Sequence, residues 1–101
     1  MQVIDSQPAA WFLFEDGSDL LLDVNCNVSA AGYSVLIKLA PEEVAEYRTA
    51  GRSSISKLAD RVQDSGPYGG YQKRDVSSTY GDAPMQAIIA WRASSQQGRG
   101  R

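Results

Sequence analysis

The chain has 101 residues, with ten Lys plus Arg, twelve Asp plus Glu and no His, so its formal charge is −2. This length fits one domain with a single core, and 43% hydrophobic with 22% charged residues is typical of a globular protein. The lack of histidine excludes an imidazole base, Ser-His and Cys-His nucleophile pairs and His-containing metal sites. Cys26 is the single cysteine, which excludes an intramolecular disulfide, a Cys-rich zinc site and a two-thiol redox motif.

The start of the chain gives an expectation about location. Residues 1–20 contain four acidic groups and no basic residue before an apolar run, so we expect no signal peptide. No apolar stretch approaches the roughly 20 residues that span a bilayer. The expected location is the cytoplasm, and no membrane partner is expected.

Three segments in the first forty residues have strand patterns. Residues 11–14 form a short aromatic and apolar run that ends at the turn residues 16–19. Residues 20–28 then alternate between apolar and mostly polar side chains, which is the clearest strand pattern in the chain. A similar alternation covers residues 33–39. Because short turns join the three segments, the sequence predicts an antiparallel meander.

Helical spacing replaces the alternation at Pro41, where Glu42 and Glu43 suit the positive end of a helix dipole. An apolar stripe then runs to Val62 at intervals of three or four residues. The stripe keeps its phase through Gly51, which favours one helix, kinked there. The alternative is two helices that Gly51 separates, with Ser53 or Ser54 capping the second.

The sequence of the last third of the chain fits more than one secondary structure. Residues 83–93 have helical spacing after a start signal at Asp82, although a strand also fits their alternation. Loop 66–81 has no periodic stretch except residues 71–77, which fit a brief strand. Residues 94–101 are polar and predict a disordered tail after a globular domain of residues 1–93.

These elements predict an α+β fold, with a three- to four-stranded antiparallel meander, a long helix packed on one face and a C-terminal helix. The strand at residues 11–14 is apolar on both sides, and Leu21 and Leu36 add to the second face. One helix cannot cover both faces of a sheet. We therefore expect either the C-terminal helix or a second copy of the chain, in a homodimer, to cover the other face.

The glycine-rich loop 66–81 contains the candidate binding residues Tyr68, Tyr71, Lys73 and Arg74. Tyrosine and arginine contribute strongly to interfaces, and long loops often bind partners. The alternative is that both tyrosines cover one end of the core and the two basic side chains are simply solvated.

Two other candidates have better structural explanations. The acidic turn at residues 15–19 lacks the alternating acidic positions of a calcium loop, and Asp and Gly are common turn residues. Cys26 lies on the apolar face of its strand and suits a core position. We therefore expect no metal site and no cofactor.

These observations favour a small non-enzymatic protein-binding module, such as a bacterial-type inhibitor, immunity-type or adaptor protein. Its expected partner is another protein or a second copy of the chain. The alternative is binding of a small molecule or a nucleic acid through loop 66–81. A sequence pI of about 4.9 opposes contact with nucleic-acid phosphates.

Overall fold

A computed structural model describes residues 1–28, 31–66 and 69–99. Four strands come first, and these are β1 Gln2–Gln7, β2 Trp11–Asp16, β3 Asp19–Val28 and β4 Ala31–Lys38. The helical elements that follow are α1 Pro41–Ala50, α2 Arg52–Ser65, a short 3-10 helix Gly70–Arg74, α3 Ser77–Tyr80 and α4 Ala83–Arg99. The predicted α+β class is confirmed.

The four strands form one sheet in the order β1-β2-β3-β4, and every neighbouring pair is antiparallel. The predicted meander is therefore confirmed, its fourth strand is β1, and the segment near residues 71–77 is not a strand of the sheet. That segment contains the 3-10 helix and a single bridge between Asp75 and Ile37. The pairing of β1 with β2 shifts register between Val3 and Asp5, which marks a bulge in this edge strand.

One face of the sheet forms the main core with α2. The alternation of β3 directs its even-numbered apolar residues to this face, and the matching positions of β4 are buried beside them. Helix α2 contributes its own apolar stripe, which is Ile55, Leu58, Ala59 and Val62. Arg52 fixes the start of α2 to the sheet through a 2.9 Å ion pair with Asp5 and a guanidinium position 5.3 Å from the Trp11 ring.

Two helices stand in place of the single kinked helix that the apolar stripe favours. Gly51 has φ 71° and ψ −145°, a backbone conformation that stops α1 at Ala50 and lets α2 start at Arg52. The Ser54 hydroxyl donates to the Gly51 carbonyl at 2.8 Å. The stripe keeps its phase because both helices pack on the same core, so periodicity alone does not reveal the break.

We expect Gly51→Ala to lower the free energy of unfolding by about 1 to 2 kcal/mol, because a side chain strains this backbone conformation. A Cβ at position 51 meets nothing within 4 Å, so steric overlap adds nothing to the effect. Urea denaturation measures the change, with Gly70→Ala as the matched control, since Gly70 also has open space and no positive φ. Equal stabilities of the two variants would contradict a strained Gly51.

The opposite face of the sheet packs against α4. Phe14, Leu21 and Leu36 form a second buried cluster with Ala87 and Ile88 of this helix. The C-terminal segment is thus a helix and not a strand, and it covers much of the second face. The helix backbone continues to Arg99, although the composition of residues 94–101 predicts a tail.

The loop after α2 closes part of the outer edge of β4. The N–H of Val76 donates to the Leu36 carbonyl at 2.7 Å, and the Leu36 N–H donates to an Asp75 carboxylate oxygen at 3.2 Å. Both backbone groups of Leu36 are therefore occupied by residues of the loop.

Candidate functional site

The predicted binding residues of loop 66–81 have different surroundings. Tyr71 is half-buried and packs against the main core, while Lys73 is exposed. Arg74 pairs with Glu43 of α1. Tyr68 lies outside the described residues. The structure thus brings Tyr71 and Arg74 together, with the Arg74 guanidinium 5.6 Å from the Tyr71 ring.

The pair between Arg74 and Glu43 has two-point geometry. Nη2 of Arg74 lies 2.6 Å from Oε1 of Glu43, and Nη1 lies 3.0 Å from Oε2. Nη2 also donates to the Lys38 carbonyl at 2.9 Å, which ties the loop to β4. Burial raises the pKa of Glu43, but hydrogen bonds from Arg74 and from the Ala40 N–H outweigh it and hold the pKa below its usual value. Arg74 therefore fixes the loop to α1 and β4.

A groove opens on the α4 side of the sheet, beside the second cluster. Asp23 of β3 stands between Phe12 of β2 and Leu36 of β4 in the strand register, and Asn25 faces Ser34 in a neighbouring row. Two cavities of about 200 and 210 Å³ lie along these rows and share Asp23 and Ser34. We call this pair of cavities the groove.

The groove follows from the alternation of β3 and from the position of α4. Leu21 and Asp23 are two residues apart and therefore point to the same face of the sheet. Helix α4 buries Leu21 with Ala87 and Ile88, and the groove is the part of this face that the helix leaves open. The first cavity extends to Ala9 and Ala10, in the turn between β1 and β2.

Asp23 is the half-buried acidic group of the groove. Burial and, to a smaller extent, the negative charge of Asp75 together raise its pKa to about 6. Among the described residues, no hydrogen bond and no cationic side chain lowers the pKa of Asp23. Asp23 is therefore a carboxylate that the fold desolvates without compensating its charge.

Asp75 is a carboxylate that stays ionised at neutral pH and acts on Asp23 through its negative charge. Burial raises the pKa of Asp75, but hydrogen bonds from the Ser77 hydroxyl and from the N–H groups of Ser77 and Leu36 outweigh burial and lower it. The two carboxylates thus differ in their titration, because one is hydrogen-bonded and the other is not. The groove is electronegative at neutral pH.

Helix α4 carries two exposed apolar side chains, and one of them lines the groove. Met85 is 57% exposed and Ile89 is 53% exposed, and they lie one helical turn apart. Met85 lines the second cavity together with Pro84 and Ile88. We call Met85 and Ile89 the apolar rim. Exposed apolar groups beside a polar pocket are typical of interaction surfaces.

Sequence reasoning missed Asp23 because it falls at a polar position of the alternating strand 20–28, where a solvated side chain is the default. A signal for its burial was present in Leu21 and Leu36, which predict a second apolar face. A carboxylate on that face is partly desolvated. The rim was missed because Met85 and Ile89 fit the helical spacing of a core stripe as well as they fit a surface.

The other sequence candidates have structural partners. Asp16 lies 3.4 Å from the Met1 amino group and Asp19 lies 3.4 Å from the Lys38 ammonium, so two of the three carboxylates of the acidic turn are paired with cations. Cys26 is buried in the main core, and burial raises the pKa of its thiol. Within residues 1–28, 31–66 and 69–99, no three His, Cys, Asp or Glu side chains are grouped as metal ligands.

Comparisons of this chain with protein families, with curated proteins and with solved structures found no match. A search of the described part of the chain for membrane-crossing helices found none of sufficient length and apolar character.

Proposed function

We propose that the chain is a small non-enzymatic protein-binding module, of the inhibitor, immunity-type or adaptor kind, and that its partner docks on the groove and the apolar rim. The proposal rests on the exposure of Met85, which lines the groove, and of Ile89, one turn further along α4. Two large apolar side chains one turn apart give a partner helix or loop a continuous contact. Their exposure in the free chain is unfavourable, and docking removes these two side chains from water.

Charge favours a protein other than a second copy of the chain. In a two-fold dimer the same surface faces itself, so the acidic grooves of both copies lie within one interface. The guanidinium of Arg92, on the same helix as the rim, lies 5.8 Å from the Phe12 ring of its own chain, so this cation is engaged within one copy. A nucleic acid is also disfavoured here, because the Asp23 and Asp75 carboxylates repel phosphates.

A small molecule in the groove is the second candidate. Two adjoining cavities and a half-buried carboxylate support it, as they offer both enclosed space and a charged anchor. This site differs from loop 66–81, for which the sequence first suggests small-molecule binding. In that loop, Arg74 is already paired with Glu43 and Tyr71 packs on the core.

We expect the double variant Met85→Ser with Ile89→Ser to weaken partner binding by about tenfold or more, since central apolar contacts dominate interface energies. The wild-type chain captures candidate partners from its native lysate, and each candidate is then purified and titrated by calorimetry. Thermal unfolding of the double variant should match that of the wild type, because both side chains are exposed.

Ile4→Ser is the matched control, because Ile4 is 38% exposed on β1 and does not line the groove. Unchanged affinity in the control and reduced affinity in the double variant support the proposal. Equal affinity of wild type and double variant contradicts the proposed surface. Sedimentation of the free chain over a range of concentrations tests whether the partner is a second copy of the chain. A dimer that the rim variant abolishes would show that the docked partner is this second copy and not a different protein.

A further inference from the structure

We infer that the groove receives a basic side chain, lysine or arginine, from the docked partner, with Asp23 as its anionic contact. This inference rests on the proposed function and specifies the chemistry of the same surface. The geometry favours it, since a half-buried carboxylate lines both cavities and both cavities are open to the outside. A long side chain with a charged end can enter such a space from a partner seated on the rim.

The lining of the groove matches both parts of a basic side chain. Asp23 accepts hydrogen bonds from the cationic end, and Asn25 and Ser34 offer further oxygen acceptors in the next row of the sheet. Phe12 and Met85 provide apolar contact for the aliphatic stem. The Phe12 ring already has a guanidinium, that of Arg92, 5.8 Å from its centre, so this fold holds a cation against the same ring.

Charge selects a cation over other ligands. Asp23 lies within the field of Asp75, and an anion entering the groove meets two carboxylates. A neutral group leaves the desolvated Asp23 charge uncompensated, whereas a guanidinium or an ammonium neutralises it through direct hydrogen bonds. The partner side chain thus replaces the water that the fold has removed from this carboxylate.

The pH dependence of binding follows from the charged groups that face Asp23. Asp75, next to β4, is the charged group that acts on Asp23 and disfavours its ionised form, while Arg92 of α4 lies over the neighbouring Phe12 ring. Because Asp23 has a pKa of about 6, only about a tenth of it is ionised at pH 5 in the free protein. We expect cation binding to be about tenfold weaker at pH 5 than at pH 7.5.

The test is an NMR titration of the full chain, labelled with ¹⁵N, with Nα-acetylarginine N-methylamide. We expect the amide signals of Phe12, Asn25 and Ser34 to shift with saturable binding at pH 7.5. The corresponding citrulline amide has nearly the same shape without the charge, and it should produce no saturable shifts. The lysine amide tests the ammonium group in the same way.

Asp23→Asn removes the charge and keeps the side-chain size, and it should weaken arginine-amide binding about tenfold. Asp60→Asn is the matched control, because Asp60 is exposed on α2, at the other face of the sheet, and its loss changes the net charge equally. The control should bind the probe as the wild type does. Probe binding that is equal in wild type and Asp23→Asn, or equal for arginine and citrulline amides, overturns the inference.

The outcome also separates this inference from the proposed function. If the rim variant loses the partner but Asp23→Asn keeps wild-type affinity for it, the proposed protein-binding function is supported. The inference that a basic side chain of the partner contacts Asp23 is then overturned. If the probe binds at Asp23 but neither the rim variant nor Asp23→Asn changes partner affinity, the groove binds a free organic cation. That result overturns the role of a partner side chain.

Discussion

Asp23→Asn should raise the free energy of unfolding at pH 7 by up to about 3 kcal/mol. The pKa of Asp23 rises from an ordinary value of 3.8 in the unfolded chain to about 6 in the folded one. Each unit of such a difference corresponds to about 1.4 kcal/mol between the two protonation states. The ionised carboxylate therefore destabilises the fold, and a neutral amide of the same size removes that penalty.

The sign of the pH dependence is fixed by the direction of this shift. Between pH 4 and pH 6 the folded chain binds more protons at Asp23 than the unfolded chain does, so the Asp23 contribution to stability falls as pH rises. The advantage of Asp23→Asn should thus be full above pH 6 and small at pH 4. Urea denaturation of wild type and variant at several pH values measures it.

Asp60→Asn again serves as the control, because exposed substitutions of this kind change stability by less than about 0.5 kcal/mol. Wild-type stability of Asp23→Asn at pH 7 would contradict a desolvated carboxylate in the groove. A variant that is more stable but binds its partner less well would identify Asp23 as a group that favours function at the expense of stability.

Arg74→Ala should lower the free energy of unfolding by about 2 to 3 kcal/mol. The substitution removes two charged hydrogen bonds to Glu43 and one to the Lys38 carbonyl, and hydrogen bonds to charged groups contribute roughly 1.5 to 3 kcal/mol. It also leaves Glu43, whose side chain is 14% exposed, without its cation. Chemical denaturation at pH 7 measures the loss.

A double-mutant cycle with Glu43→Gln isolates the pair itself, and we expect a coupling of about 1 to 2 kcal/mol. Since Glu43 has a lowered pKa, this coupling is present above the ordinary pKa of 4.5 and is lost as pH falls through the folded value. Arg48→Ala, at an exposed position of α1, is the control with little expected effect. A coupling near zero would show that Arg74 does not hold the loop.

The strands that alternate strongly could be predicted from the sequence, and β1 could not. Residues 20–28 and 33–39 each bury one side in a large core, which imposes a period of two on their composition. β1 is an edge strand with a bulge between Val3 and Asp5, and its residues are at most half-buried. No fully buried face therefore imposes an alternation of apolar and polar side chains on this strand.

The sites were harder to predict because their partners are distant in the chain. Arg74 is separated from Glu43 by 31 residues, and a basic residue in a glycine-rich loop resembles a free contact until its carboxylate is known. The environment of Asp23 depends on Leu36 across the sheet and on α4, more than fifty residues later. Periodicity describes which face a residue occupies, and long-range packing determines what covers that face.

The contact of the loop with β4 also limits how these molecules can aggregate. A strand from another molecule extends a sheet by pairing with free backbone groups at its edge. At Leu36 those groups are bound to Asp75 and Val76, and at the other edge the bulge in β1 interrupts the regular spacing that a long added strand needs. Addition of a long strand is thus interrupted at Leu36 on one edge and at the bulge on the other, and concentrated solutions should favour contacts through side chains over contacts through backbone.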